Sequence, residues 1–288
     1  MKKSIFTLGM FILSSSIIIS CNKNKDETIY LEENGDFITE NLAARSYEEV
    51  ADISDQAITN DDIIIYGRVN ESTDNSIDFM NKSACASVTR TVSANAVNIV
   101  VDYGPVNCGC PDGKQRKGII KIRQAIPFAK DSTRVITFDN YFVNNNKLGG
   151  LITITKKENT TEGFPVVGIS ITNGSVVLAA NGGTLLYASE RTRTHTEGAS
   201  TPLIFNDDVF KIEGTRNGTT PAGILFTSTI TNPLIHKRKL DCRETVQGTI
   251  RFTKTGKPDK VIDFGNGLCD NTATVTVGNL APRTIILN

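Results

Sequence analysis

The sequence has no tryptophan, only two histidines and no excess of either charge. Aromatic residues make up 7% of the chain, and acidic and basic side chains balance at 31 each. This balance excludes the basic field that nucleic-acid binding requires, so no nucleic-acid partner is expected. The scarcity of histidine leaves hydrolytic catalysis without its most common general base.

Catalytic and cofactor motifs are also missing from the sequence. It contains no HExxH, GxSxG, Walker or GxGxxG motif, and no loop dense in Asp, Asn and Gly that matches a calcium site. The histidines, His195 and His236, show no ligand spacing to the cysteines. We therefore predict no metal, no cofactor and no enzymatic activity.

The beginning of the chain has the features of an export signal. Two lysines precede an apolar run over residues 5–19, and the small residue Ser20 stands before Cys21. This order is typical of a secretory signal peptide, and the cysteine after it resembles the lipobox of bacterial lipoproteins. The run of about 15 apolar residues is shorter than the roughly 20 that a membrane-spanning helix needs. We predict a signal peptide over residues 1–20 and fatty acyl chains, such as palmitate, on Cys21.

Residues 21–62 are predicted to form a polar tether with a short helix. Residues 22–36 lack apolar periodicity, whereas apolar residues recur at helical intervals over 38–51. The triplet Lys25-Asp26-Glu27 resembles the acidic export signal that directs Bacteroidota-type lipoproteins to the cell surface. The alternative is a solvated linker whose charges are incidental.

Residues 63–288 are predicted to form a β domain, as one unit or as two lobes. Apolar and polar residues alternate with period two at 249–253 and 272–277, as half-buried strands require. The dipeptide Asn-Gly, a strong hairpin signal, begins at residues 173, 181, 217 and 266. No helical segment long enough for a crossover separates the strands. The sequence therefore predicts an all-β fold, an elongated antiparallel meander or sandwich, with one short N-terminal helix.

A short motif occurs twice in this domain. Val-Val-Asp102-Tyr-Gly, followed by Cys108, returns as Val-Ile-Asp263-Phe-Gly, followed by Cys269. An aspartate beside an aromatic residue and a glycine at a strand end commonly accepts backbone hydrogen bonds in the following turn. We interpret both aspartates in this way. The alternative is that they act as the acid and base of glycoside hydrolysis.

The repeated motif also predicts how the cysteines pair. An exported protein meets an oxidising compartment, and a cysteine precedes each copy of the motif. We predict the bridges Cys85 to Cys108 and Cys242 to Cys269, each contributing about 3–4 kcal/mol to stability. Cys110 is then left over, and in an alternative pairing it replaces Cys108 as the partner of Cys85.

Arg191, Arg193 and His195 alternate with threonines, which places them on one face of a strand. A polyanionic or sugar ligand could bind such a row of cationic or titratable groups, so these residues are our candidate binding site. The alternative is a solvated sheet face whose charges discourage edge-to-edge pairing.

Several segments together are similar to a family of Bacteroidota-type lipoproteins of unknown function. They are residues 138–144, 191–193, 232–234 with the following Cys242, and 263–271. The similarity spans most of residues 85–288. The resemblance implies kinship and a β-rich fold, and it carries no assigned catalytic or binding residue.

The sequence as a whole predicts an outer-membrane lipoprotein of the cell envelope that is held by its N-terminal lipid and directed to the surface. Its expected function is that of a non-enzymatic binding or structural module, with a glycan or an envelope protein as partner. The alternative is an extracellular hydrolase that acts on polysaccharide through carboxylates on the sheet.

Overall fold

The computed structural model describes residues 23–65, 86–110, 112–202, 204–239 and 242–287, with the side chains of the helix described from residue 35 to 58. Within these residues one helix, α1 (Lys23–Ile65), is followed by fourteen strands. The predicted signal peptide, the predicted lipidation site Cys21 and the predicted disulfide partner Cys85 lie outside the described residues.

The strands form one antiparallel sheet. They are β1 (Ser87–Val92), β2 (Ala96–Asp102), β3 (Cys108–Gly109), β4 (Gln115–Ala125), β5 (Thr133–Val143), β6 (Asn146–Lys156), β7 (Val166–Val177), β8 (Thr184–Glu197), β9 (Asp207–Thr219), β10 (Leu225–Lys239), β11 (Cys242–Lys254), β12 (Lys260–Asn266), β13 (Thr272–Val277) and β14 (Arg283–Ile286). Each strand pairs with its neighbours in chain order, except that β3 lies off this path and pairs with β4. The predicted all-β antiparallel meander is confirmed.

A row of glycines bends the sheet. Gly118, Gly150, Gly214 and Gly248 stand in the interior of β4, β6, β9 and β11, where the strand register shifts, and all four have positive φ. A side chain at any of them would overlap the backbone of the adjacent strand. Such bulges bend a strand and increase its twist. Their repetition from β4 to β11 makes the sheet strongly curved.

The concave face of the sheet wraps around α1. Side chains of the helix form ion pairs or hydrogen bonds with every strand from β4 to β11, and Arg45 donates to the carbonyl oxygen of Leu287, after β14. Those eight strands would span about 34 Å in a flat sheet, whereas a helix is only about 10–12 Å wide. No residue between 40 and 58 is exposed, so this stretch of the helix is the centre of the core.

Aromatic side chains of the helix pack directly on the sheet. Phe37 meets Phe252 edge to face with ring centroids 6.1 Å apart, and Tyr47 stacks on Tyr187 at 5.2 Å. The hydroxyl of Tyr47 donates to the carbonyl oxygen of Gly149 at 2.8 Å. The helix therefore completes the hydrophobic core that the curved sheet would otherwise leave open.

The helix extends beyond the predicted span of 38–51. It begins at Lys23, inside the segment 22–36 that the sequence indicated as a tether, and ends at Ile65. Apolar periodicity stops at residue 51 because the helix then presents Asp52 and Asp55 to the cations Arg238 and Arg134 of the sheet. A buried face that contains ion pairs does not show as an apolar stripe.

Only some of the predicted hairpin turns form. Asn181-Gly182 lies between β7 and β8, and Asn266-Gly267 lies at the end of β12. The predictions at the other two dipeptides are wrong, since Asn173-Gly174 is a bulge inside β7 and Asn217-Gly218 lies within β9. Asn144-Asn145, both with positive φ, joins β5 to β6. Positive φ at both central residues is the requirement of a type I′ turn, and asparagine tolerates it.

The disulfide between Cys242 and Cys269 is confirmed, with Cα atoms 5.7 Å apart. Cys108 is also disulfide-bonded, whereas Cys110 is a buried free thiol. Of the two neighbouring cysteines, Cys108 is therefore the one that forms a bridge.

The two aspartates of the repeated motif have the predicted structural role. The backbone N–H of Gly104 donates to Asp102 Oδ1 at 2.7 Å, and that of Gly265 donates to Asp263 Oδ1 at 2.9 Å. Each carboxylate thus stabilises the turn that follows its strand. Neither aspartate is among the residues that line the two cavities described below.

Candidate functional site

The interface between the helix and the sheet is charged as well as apolar. The concave face of the sheet carries buried cations, among them Arg116, Arg134, Arg191, Arg193, Arg216, Arg238 and Lys254. Facing them, the helix presents the carboxylates of Asp36, Glu40, Glu48, Glu49, Asp52 and Asp55. Burying an ion is costly unless an opposite charge accompanies it. The helix and the sheet are therefore complementary in charge.

Arg191 and Arg193 lie on the inner face of β8. They are 7% and 5% exposed, and their Nη1 atoms donate to Glu48 at 2.9 and 3.1 Å. The alternative of a solvated sheet face is therefore wrong for both arginines, because that face of β8 is turned toward the helix. His195 continues the row at the end of the strand, where its Nε2 lies 2.7 Å from Asp208 Oδ1.

The carboxylates of the helix differ in their proton affinity. Burial raises the pKa of Glu48, but the guanidinium groups of Arg191 and Arg193 outweigh burial and hold that pKa at about 2. Burial raises the pKa of Asp52 to about 6, because Arg238 only partly offsets it and the charge of Glu48 adds to the rise. Two carboxylates one helical turn apart therefore favour opposite protonation states near pH 5.

Two further groups are perturbed in the same region. Burial would raise the pKa of Asp55, but Arg193 and Arg134 outweigh it and lower that pKa. Burial lowers the pKa of His236 to about 4, although Glu48 acts in the opposite direction. The imidazole of His236 is therefore neutral at physiological pH.

A cavity of about 290 Å³ lies between α1 and the strands β8 to β12. Its acidic lining residues are Glu48, Glu49, Asp52 and Asp112. Its basic lining residues are Arg45, Lys114, Arg191, Arg216, Arg238 and Arg243. Cationic groups thus outnumber carboxylates by six to four, and His236 adds a neutral imidazole. We call this space the helix–sheet cavity.

A second, smaller cavity of about 190 Å³ lies near the end of β8. His195 stacks on Phe210 there, with ring centroids 4.6 Å apart. Asp208 accepts a hydrogen bond from Arg238 at 3.0 Å and also contacts His195. Arg238 lines both cavities, so one guanidinium group connects them.

Among the residues that the structure describes, one group has metal-ligand spacing, and it consists of Cys242, Glu244 and Cys269. The two cysteines are bonded to each other, so neither offers a thiolate. The carboxylate of Glu244 accepts a hydrogen bond from the backbone N–H of Asn271. This group belongs to the disulfide corner and does not form a metal site.

Sequence reasoning found part of the cavity wall and missed the rest. It selected Arg191, which lines the helix–sheet cavity, but it did not select the helix residues Glu48 and Asp52. Their signal is the recurrence of acidic residues at 48, 52 and 55, which places three carboxylates on neighbouring positions of one helix face. Without knowledge that the helix is enclosed, this pattern predicts only a solvated surface.

No family model matches the chain, and no curated protein or solved structure matches it. The resemblance to Bacteroidota-type lipoproteins therefore stays a prediction. Across the described ranges, no helix combines the length and the apolar character that crossing a membrane would require.

Proposed function

We propose that this chain is an outer-membrane lipoprotein whose helix–sheet body is a non-enzymatic binding module, with the helix–sheet cavity as its binding site. The cavity itself carries this proposal. A concave site in which polar groups converge is the usual form of a small-ligand site, and pockets of this kind begin at about 300 Å³. The volume of about 290 Å³ suits a small metabolite or a single sugar unit.

The anchor and the binding body are continuous in this proposal. The helix begins at Lys23, two residues after the predicted acylated Cys21. Its first described ion pair with the sheet joins Asp36 to Lys254. The helix from Lys23 to Asp36 is about 20 Å long. Acyl chains on Cys21 would thus hold the body close to the membrane, and at least two chains are needed for stable retention.

Anchoring is tested by the substitution Cys21→Ser. We expect the native protein to fractionate with the outer membrane and the variant to be released into the soluble fraction. The disulfide between Cys242 and Cys269 serves as the control for folding, since it should form in both proteins. Retention of the variant in the membrane fraction would contradict the lipoprotein proposal.

Binding in the cavity is tested by Ala44→Leu, with Ala44→Ser as the matched small substitution. Ala44 lines the cavity from the helix and is 6% exposed, so leucine would occupy part of the empty volume. We expect small acidic and neutral sugars to raise the melting temperature of the native chain, and Ala44→Leu to abolish the shift that Ala44→Ser retains. Equal ligand shifts in all three proteins would show that the cavity is not the site.

A hydrolase is the second candidate, and one observation favours it. Glu48 and Asp52 line the same cavity, and the pKa of Glu48 is lowered whereas that of Asp52 is raised. Glycosidases use two carboxyl groups with such separated pKa values, one as the nucleophile and the other as the general acid. These carboxylates belong to the helix, whereas Asp102 and Asp263 of the sheet stabilise turns. Release of reducing ends from polysaccharide, lost in Glu48→Gln and Asp52→Asn, would favour the hydrolase over the binding module.

A further inference from the structure

We propose that the ligand of the helix–sheet cavity is a small anion with a carboxylate, phosphate or sulfate group, held by Arg191 together with Arg216 and Arg238. This inference rests on the proposed function and names the ligand class for the same cavity. It is carried by guanidinium nitrogens that no group of the described chain satisfies.

Arg191 has an unused binding edge. Its Nη1 atom donates to Glu48 at 2.9 Å, while Nε and Nη2 have no hydrogen-bond partner among the described residues. These two nitrogens form the side of a guanidinium that binds two oxygens of one oxyanion in parallel. The residue is 7% exposed and contributes to the cavity wall. Its own ion pair therefore leaves the bidentate edge unpaired.

Two further arginines of the same wall carry unpaired donors. The Nε atoms of Arg216 and Arg238 also lack hydrogen-bond partners in the described part of the chain. The three arginines lie on the adjacent strands β8, β9 and β10, and neighbouring strands are about 4.8 Å apart. Buried donors are nearly always satisfied in folded proteins, and an exception calls for an occupant. Four such donors on one cavity wall indicate a single polar ligand.

The hydrogen-bonding character of the unpaired groups decides the sign of that ligand. Each acidic residue of the cavity already has a cation within the chain, as Glu49 has Lys114 and Asp112 has Arg116, and Arg216 and Arg238 also pair with Glu40 and Asp208 outside the lining. The four unpaired guanidinium nitrogens are all donors. An incoming anion would accept their hydrogen bonds, which a cation cannot do.

The inference is tested by isothermal titration of the mature chain in detergent at constant ionic strength. The anionic probes are inorganic phosphate, succinate and glucuronate, and the neutral probe is glucose. We expect at least one anion to bind and glucose to bind at least about tenfold more weakly, which corresponds to the loss of one charge-assisted hydrogen bond. Ala44→Leu should abolish binding of that anion.

Arg191→Lys and Arg193→Lys form a matched pair of variants. Both arginines lie on the same face of β8, are similarly buried and contact Glu48, but only Arg191 lines the helix–sheet cavity. Lysine keeps the charge and cannot reproduce the bidentate edge. Arg191→Lys should weaken anion binding about tenfold or more, and Arg193→Lys should leave it within about twofold. Melting curves of both variants establish that they fold.

The outcomes separate the inference from the proposed function. If glucose binds as tightly as the anions and Ala44→Leu abolishes its binding, the cavity is the binding site but the anion inference is wrong. If no anion binds to the native chain, the inference is overturned and ordered water is the occupant of the unpaired donors. If an anion binds equally well to Ala44→Leu and to Arg191→Lys, it binds elsewhere, and both the inference and the proposed cavity site fail.

Discussion

Asp52→Asn and Asp55→Asn are expected to change stability in opposite directions, although the two residues lie three positions apart on α1. At pH 7 we expect Asp52→Asn to stabilise the fold and Asp55→Asn to destabilise it. The reason is that burial dominates at Asp52 and raises its pKa, whereas Arg193 and Arg134 outweigh burial at Asp55 and lower its pKa. Asparagine has the shape of the neutral acid and removes the charge in both cases.

The magnitude for Asp52 follows from its pKa, which rises from 3.8 to about 6. Two units correspond to about 3 kcal/mol, an upper estimate of the cost of ionising this carboxylate in the folded chain. Because the folded-state pKa is raised, this cost is absent below pH 3.8 and is complete above about pH 6. No cation is left unpaired by the substitution, since Arg238 keeps Asp208 at 3.0 Å and Arg193 keeps Glu48 at 3.1 Å.

The expectation for Asp55 has the opposite sign. Its carboxylate lies 2.6 Å from Arg134 and 2.6 Å from Arg193, both of which are buried. Removing one partner of a buried ion pair costs about 3–5 kcal/mol, because the remaining charge stays in a poor solvent. A lowered pKa means that this stability is present above the unfolded pKa and is lost as the pH falls through the folded pKa.

The measurement is urea unfolding followed by circular dichroism at pH 7 and pH 4. At pH 7, Asp52→Asn should increase the free energy of unfolding by up to about 3 kcal/mol, and at pH 4 the gain should fall below about 1 kcal/mol. Asp55→Asn measured in parallel is the control for removal of a helix carboxylate. A loss of stability in Asp52→Asn at pH 7, or a gain that does not change with pH, would refute the reasoning.

Three further changes test the network, the disulfide and the bend of the sheet. The pKa of His236 is lowered from 6.5 to about 4, so the native chain loses stability as the pH falls between these values. His236→Asn should remove this pH dependence of the free energy of unfolding, which amounts to up to about 3 kcal/mol. Melting temperatures measured against pH, in native and His236→Asn chains, check this. Cys242→Ser should lower the free energy of unfolding by about 3–4 kcal/mol. A reductant should lower the stability of the native chain by breaking this bridge, and the variant, which lacks the bridge, should not show that loss. Gly214→Ala should cost several kcal/mol more than Gly223→Ala, because both glycines have positive φ but only the first would place a methyl group against backbone, at Glu190. Equal unfolding free energies of these two variants would contradict the role of the bulge.

The strands were predictable because their pattern is local. The alternation at 249–253 lies within the strand Cys242–Lys254, and that at 272–277 is found as Thr272–Val277. The extent of the helix was not predictable in the same way. Past residue 51 it carries Asp52 and Asp55, whose cationic partners Arg238 and Arg134 are distant in sequence and lie in no local window.

The face of the arginine row was predictable, but its surroundings were read incorrectly. Leu185 and Tyr187 share the face of β8 that carries Arg191 and Arg193, and both are buried. An apolar beginning of a strand indicates which of its two faces turns inward, and period two extends that assignment along the whole strand. The sequence thus contained the signal that these arginines face the core.

The segments that carry the family resemblance have structural roles in this fold. Asn140, in the segment 138–144, has positive φ and its carbonyl lies against Gly118 at a register shift. Pro233 stands in the same relation to Gly248 on β10 and β11. These segments bend the sheet, and the segment 191–193 binds the helix. These contacts are roles in the fold of this chain and give no information about activity.

The ion pairs act together with apolar packing to orient the helix inside the sheet. The buried apolar side chains of α1 occupy a little over half of its circumference, and the charged residues Glu48, Glu49 and Asp52 lie on the remaining sector. A slip of one residue turns a helix by about 100° and moves it by about 1.5 Å, which would separate Glu48 from Arg191 and Glu40 from Arg216. Buried polar pairs are best attested in this role of fixing register. One nitrogen of Arg191 is enough for that role, so its unpaired bidentate edge calls for a second explanation, which a bound anion provides.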